Sequence, residues 1–143
     1  MTYLLDTVTV IAILNKRRID HRKALKNYVK AKALHQTVNV NGICCYEIKR
    51  GLFSLSIAPH QLSQKIDRFD EFCNECEVLL FDDLNVFETA AALWASLPRG
   101  DKLRDNDLLM ASHANSQDLI LVTKDADFTR VAKHIGVQIE DWT

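Results

Sequence analysis

The chain has 143 residues, 18 Lys+Arg against 19 Asp+Glu and a formal net charge of −1, which suits one domain with a single core and leaves too little chain for two. A hydrophobic fraction of 48% with 4 Gly and 2 Pro excludes a disordered polypeptide and fits a helix-rich globule. With neither a bilayer-length apolar stretch nor a secretory signal at its N-terminus, the chain is expected in the cytoplasm, with its 4 Cys reduced.

Leu4 and Leu5 form a short buried strand, Asp6 follows it, and residues 8–14 are almost continuously apolar, as a helix packed on a sheet would be. Lys16, Arg17, Arg18, Arg22, Lys23, Lys26, Lys30 and Lys32 then face the single acid Asp20, a basic stretch that overlaps a helix over residues 22–34 with Leu25, Tyr28 and Val29 on its apolar side. Residues 37–40 are β-branched and strand-like; residues 43–52 read as a helix ended by Gly51. A helix over residues 60–76 carries Leu62, Ile66, Phe69 and Phe72 on one stripe, and a strand over residues 78–81 follows. This region reverses the charge, with Asp67, Asp70, Glu71, Glu75, Glu77, Asp82, Asp83 and Glu88 against Arg68. The two stretches are either solvated helix faces or a dipole that offers a polyanion one basic side.

Residues 85–97 predict a helix with Phe87, Ala90, Ala91, Leu93 and Trp94 inward, ended at Pro98-Arg99-Gly100. Asp105 or Asn106 is a good N-cap for a helix over residues 108–115. An apolar strand at 119–123, a short helix at 128–134 and a last strand at 137–139 complete an α/β alternation, which implies a mostly parallel sheet flanked by helices on both faces.

Four acids recur beside these elements: Asp6 and Asp125 after strands, Glu47 and Asp107 near helix N-termini. Singly, each has a plain local explanation: Asp6 as an Asx-turn or N-cap, Glu47 as a surface partner of Lys49 or Arg50, Asp107 as a first-turn acid, Asp125 as a turn residue. Together they are harder to dismiss, because strand ends and helix N-termini share the edge where open α/β sheets bind ligands. Carboxylates converging there would repel each other and call for a hard cation such as Mg²⁺ or Mn²⁺.

Four segments carry a resemblance: Leu4-Leu5-Asp6-Thr7, Tyr46-Glu47-Ile48-Lys49-Arg50-Gly51-Leu52, Asn106-Asp107-Leu108-Leu109-Met110-Ala111-Ser112-His113-Ala114 and Leu121-Val122-Thr123-Lys124-Asp125-Ala126-Asp127-Phe128. In this order they resemble the PIN-domain ribonucleases, most of all the VapC-type toxins of bacterial toxin–antitoxin pairs, and the closing Ile139-Glu140-Asp141-Trp142 resembles the end of many such toxins. The resemblance spans essentially the whole chain and implies a single PIN-like domain over residues 1–143. It also implies an acidic Mg²⁺ or Mn²⁺ site of Asp6, Glu47, Asp107 and Asp125, supported by Thr7 and Thr123. Asp6 and Asp107 would be the main ligands, with Glu47 and Asp125 completing the site and orienting water.

The implied activity is endoribonucleolytic: in-line attack of an activated water on an RNA phosphodiester, leaving a 5′-phosphate and a 3′-hydroxyl. The implied partners are RNA, a small VapB-type antitoxin that fills or blocks the acidic groove, and a second copy in a homodimer. Arg17, Arg18, Lys49, Arg50, Arg104 and Lys124 are candidate phosphate contacts acting through salt-sensitive affinity.

One position departs from the family: Val8 stands where an Asn usually supports the site. Asp127 is a second choice for the fourth acid, with Asp125 preferred because it lies closer to the strand. Two rival readings remain: a weakened PIN-fold binding module, which Val8 favours, and an aspartate-nucleophile phosphatase, which would want an acid at Val8. Cys73 and Cys76 form a C-x-x-C without a second pair, and so read as packing rather than a zinc site. His113 reads as a packing or hydrogen-bonding residue. No Gly-rich phosphate loop is present, which argues against a P-loop or Rossmann binder.

Overall fold

A computed structural model describes residues 1–82 and 84–143; Asp83, one member of the acidic stretch, lies outside the described residues. Strands β1 (Thr2–Leu5), β2 (Thr37–Asn41), β3 (Glu77–Leu79), β4 (Ile120–Val122) and β5 (Ile139–Glu140) pair in the order β3-β2-β1-β4-β5, each pairing parallel. β1 is central, and Leu4, Leu5, Leu121 and Val122 have no exposed surface, as strands covered on both faces require. Leu5 lies opposite Val122, so the residues leaving β1 and β4 emerge side by side. That register decides where Asp6 and Asp125 go.

The connections are helices α1 (Thr7–Leu14), α2 (His21–Ala33), α3 (Gly42–Phe53), α4 (Pro59–Glu75), α5 (Asn85–Ser96), α6 (Asp105–Ser116) and α7 (Ala126–Ile135), with a 3-10 turn at Arg99–Asp101. This is the expected α/β alternation in one domain. α7 ends on Gly136 in the left-handed region (φ 65°), a conformation glycine adopts without a Cβ penalty.

Several local expectations shift. α3 does not stop at Gly51; it continues to Phe53, and Ser54 closes it with its Oγ donating to the Gly51 carbonyl at 2.8 Å. A single interior glycine costs only about 1 kcal/mol, which neighbouring turns absorb. α6 begins a turn earlier than expected, capped by Arg104 without a side-chain bond, so Asp105 and Asn106 lie inside the helix instead of capping it. β3 is displaced toward the N-terminus and β5 toward the C-terminus of the expected strands.

Two inward faces also differ. On α2 the buried residues are Ala24, Tyr28 and Ala31, while Leu25 and Val29 are exposed. On α5, Val86 and Ala90 are buried and Phe87 and Trp94 face outward, with Lys102 Nζ 4.1 Å above the Trp94 ring. Alanines sit on both buried faces, beside Tyr28 on α2 and Val86 on α5, where α2 packs on α1 and β2 and α5 packs on α6. Hydrophobicity alone does not distinguish these two faces.

Candidate functional site

Asp6 is the first residue beyond β1 and is only 6% exposed. Its carboxylate is tied on both oxygens. Oδ1 accepts from the Thr7 amide at 2.8 Å, which caps α1, and Oδ2 accepts from the Thr123 hydroxyl at 2.8 Å. Thr123 in turn accepts from the Asp125 amide at 3.0 Å, so one hydroxyl links the ends of β1 and β4. Thr7 reaches the third acid: its hydroxyl donates to Glu47 Oε1 at 2.9 Å, bridging α1 and α3 across 40 residues of sequence. Both threonines expected to support the site hold a carboxylate.

Glu47 sits on the half-buried side of α3, which leaves β2 through the N-cap Asn41, whose Oδ1 accepts from the Cys44 amide at 3.2 Å. Asp107 lies in the first turn of α6, where the helix dipole favours an acid. Its one cationic neighbour among the described ion pairs is the exposed Arg104, 3.9 Å away.

The acids influence one another: Asp6 feels the charges of Glu47 and Asp125, and Asp107 those of Asp6, Asp125 and Glu47. Burial pushes the Asp6 carboxyl above its ordinary value; the Thr123 and Thr7 hydrogen bonds oppose this, and the charges of Glu47 and Asp125 add to it. Burial also pushes Asp107 up, to about 6, aided by Asp6, Asp125 and Glu47 and opposed by Arg104. Asp125, not Asp127, is the acid that Asp6 and Asp107 feel. Asp125 caps α7 with its Oδ1 accepting from the Asp127 amide at 2.9 Å, while Asp127 is exposed and pairs with Arg130.

Mutually repelling carboxylates fit a hard divalent cation better than any softer group. Among the described residues no group of three or more Asp, Glu, His or Cys side chains is placed so as to hold a metal ion, so a cation here would be held by one or two carboxylates and water. Mg²⁺ suits such a site, since it keeps several waters and takes one or two carboxylates.

Thr123→Val is expected to destabilise the protein by about 2 kcal/mol, because it leaves the Asp125 amide and Asp6 Oδ2 each short of a partner in a nearly dry place. Urea unfolding would measure this, and an unchanged midpoint would contradict the geometry.

The basic candidates do not behave alike. Arg17 is exposed, Arg50 stacks 5.0 Å over the Tyr46 ring, and Lys49 pairs with Asp70 at 3.0 Å, away from the acids. Arg18 and Lys124 both converge on Asp20. Asp20 had stood out in the sequence only as the lone acid among eight bases; its contact with Lys124 spans 104 residues and has no local signature.

Val8 lies half-buried in the first turn of α1 and supplies no polar atom. Cys73 and Cys76 are half-buried, and among the described residues they belong to no metal-binding group. His113 is buried with its ring 4.4 Å from that of Phe81 and its Nδ1 3.1 Å from Asn41 Nδ2, a packing and hydrogen-bonding position away from solvent.

An open and mainly apolar groove of about 740 Å³ runs between α3 and α4, lined among others by Tyr46, Arg50, Phe53, Phe69, Cys73 and Val78 and by none of the four acids. Tyr46 and Phe53 leave 55% and 63% of their surface uncovered.

The PIN domain family model matches residues 3–134. A protein named Ribonuclease VapC2, from Rickettsia felis, is 28% identical over 143 residues, covering 99% of this chain and 98% of its own length. Among solved structures, VapBC2 from Rickettsia felis bound to a promoter DNA fragment matches all of both chains at 24% identity with a TM-score of 0.82. DNA-bound VapBC from Salmonella typhimurium matches at 25% identity and a TM-score of 0.79, covering 100% of this chain and 99% of that one.

Proposed function

This chain belongs to the PIN domain family, and from that premise we propose that it is a divalent-metal-dependent endoribonuclease, the toxin of a toxin–antitoxin pair. The observation that carries the proposal is the hydrogen-bonded linkage of Asp6, Glu47 and Asp125 through Thr7 and Thr123, with Asp107 feeling the charges of all three.

Asp6 and Asp107 would hold Mg²⁺ or Mn²⁺, with Glu47 and Asp125 completing the site. When bound, the cation would neutralise the pocket, polarise the phosphoryl oxygens and acidify a water. The protein's own part is positional. Thr7 and Thr123 fix the carboxylate planes of Asp6 and Glu47, so that little reorganisation is left for the reaction itself. Glu47 and Asp125 would orient the attacking water. Arg104, exposed beside Asp107, is the basic candidate best placed to meet a phosphate.

The related structures are of VapBC by name, and a VapB-type antitoxin is proposed here too. The groove between α3 and α4, with Tyr46 and Phe53 exposed, offers an antitoxin segment apolar burial. A homodimer is proposed on the same kinship; the outer face of α5, with Phe87 and Trp94 45% and 50% exposed, is apolar surface that such an assembly would cover. A cytoplasmic role accords with this reading.

The antitoxin-free protein is expected to cleave RNA with Mg²⁺ or Mn²⁺ and to stop on addition of EDTA, as followed on labelled RNA by gel. If no RNA is cut by folded, inhibitor-free protein under any divalent metal, the nuclease reading fails and the binding-module reading, favoured by Val8, replaces it. A trapped aspartyl-phosphate would instead revive the phosphatase reading.

A further inference from the structure

Asp20 is the N-cap residue of α2, yet its side chain makes no cap hydrogen bond. Both of its oxygens are turned elsewhere. Arg18 donates to them through Nε and Nη2, each at 2.9 Å, and Lys124 donates to Oδ2. The carboxylate is 8% exposed because these two cations cover it at the protein surface. The Arg18 and Lys124 hydrogen bonds hold its carboxyl well below the usual carboxylate range.

Lys124 stands between Thr123, which donates to Asp6, and Asp125. The inner side of this turn is pinned to the end of β1: the Asp6 amide and the Thr9 hydroxyl both donate to the Val122 carbonyl, at 3.0 and 2.9 Å. Its outer side is held by Asp20. We propose that Asp20 is a positioning residue which, through Lys124, clamps the Thr123–Asp125 turn and so sets the Asp6–Asp125 half of the carboxylate site. The clamp rests on the reading of these acids as the catalytic site, and it withdraws Arg18 and Lys124 from direct service to the RNA backbone.

The test is amide hydrogen exchange on the full-length, metal-free protein, with RNA cleavage and RNA affinity in EDTA measured alongside. Asp20→Asn and Lys124→Met are each expected to speed exchange at the amides of Thr123 and Asp125, which donate to the Glu140 carbonyl and the Thr123 hydroxyl, by about tenfold, with the amides of β1 unchanged. The double variant should be no worse than either single one, since both break the same link. Asp20→Glu should keep the wild-type rates. In cleavage, Asp20→Asn should lower kcat and leave KM for RNA unchanged.

Unchanged exchange at the turn in both single variants would overturn the proposal, as would faster exchange spread evenly over the chain. So would weaker RNA binding by Lys124→Met with exchange unaltered, which would make Lys124 a phosphate contact. If the wild type cuts no RNA but the turn still loosens, the clamp stands and the nuclease reading falls. Cleavage by the wild type with an unresponsive turn is the reverse.

Discussion

Asp6→Asn is expected to lower metal-dependent RNA cleavage by at least roughly 10³-fold while the protein stays folded. Loss of an outer-shell partner typically costs a metal site 10–100-fold, so loss of a principal ligand should cost more; roughly 10³-fold is about 4 kcal/mol of transition-state stabilisation. The fold survives because the structural duties of Asp6 do not need its charge. An Asn oxygen can still accept from the Thr7 amide and cap α1. The substitution also removes a buried charge that Glu47 and Asp125 already disfavour. Initial rates on a labelled RNA at saturating Mn²⁺, with circular dichroism melting on the same samples, measure both parts. A residual rate within tenfold of wild type at an unchanged melting temperature would remove Asp6 from the site.

Asp107→Asn should do the opposite to stability. In the metal-free protein it is expected to raise stability at pH 7.5 by on the order of 2 kcal/mol, or several degrees in Tm. Folded Asp107 holds its proton up to about pH 6, whereas the unfolded chain releases it near the ordinary value of 3.8. Between those values folding takes up a proton. The stability that this group contributes is therefore fully present below about pH 4 and lost as the pH rises through about 6. The difference between variant and wild type should shrink on acidification and vanish near pH 4. Asp20, whose carboxyl is lowered by Arg18 and Lys124, contributes with the opposite sign, so the comparison between the two proteins isolates Asp107. Mn²⁺ should stabilise the wild type more than the variant, since the cation takes the place of the proton. A variant less stable than wild type at pH 7.5 without metal would show that Asp107 is not under repulsion.

The same acid would thus cost the metal-free protein stability and supply the metal-bound one with charge. Asp6 and Asp125 also cap α1 and α7, but capping does not require acids that repel one another, so the repulsion directs attention to a cation and an anionic substrate.

Much of this was legible in the chain itself. The apolar runs at Leu4-Leu5 and 119–123 announced central strands because burial on both faces requires continuous hydrophobic sequence. The order of the four acids along the chain, each beside an element end, carried the family resemblance, and the match over residues 3–134 agrees with it. The preference for Asp125 over Asp127 came from distance to the strand; in the structure Asp127 pairs with Arg130.

Other features were not legible, and for a common reason. Helix faces failed where Leu25, Val29, Phe87 and Trp94 lie outside while alanines pack inside, because hydrophobicity reports a tendency to be buried and not the space available. Gly51 failed as a stop signal because a local propensity of about 1 kcal/mol yields to the packing of the helix around it. Lys49 and Arg18 looked like equals among the basic candidates, but Asp70 on α4 claims Lys49 on α3, and Asp20, two residues on, claims Arg18.

The sequence by itself determined the strands, the helices that cross between them, and which acids follow which strand, since these depend on short-range pattern. Tertiary structure alone decided that Thr7 binds Glu47, that Thr123 binds Asp6, and that Asp20 holds Lys124. These contacts join residues 40, 117 and 104 positions apart, and only the parallel register of β1 against β2 and β4 brings them within a hydrogen bond.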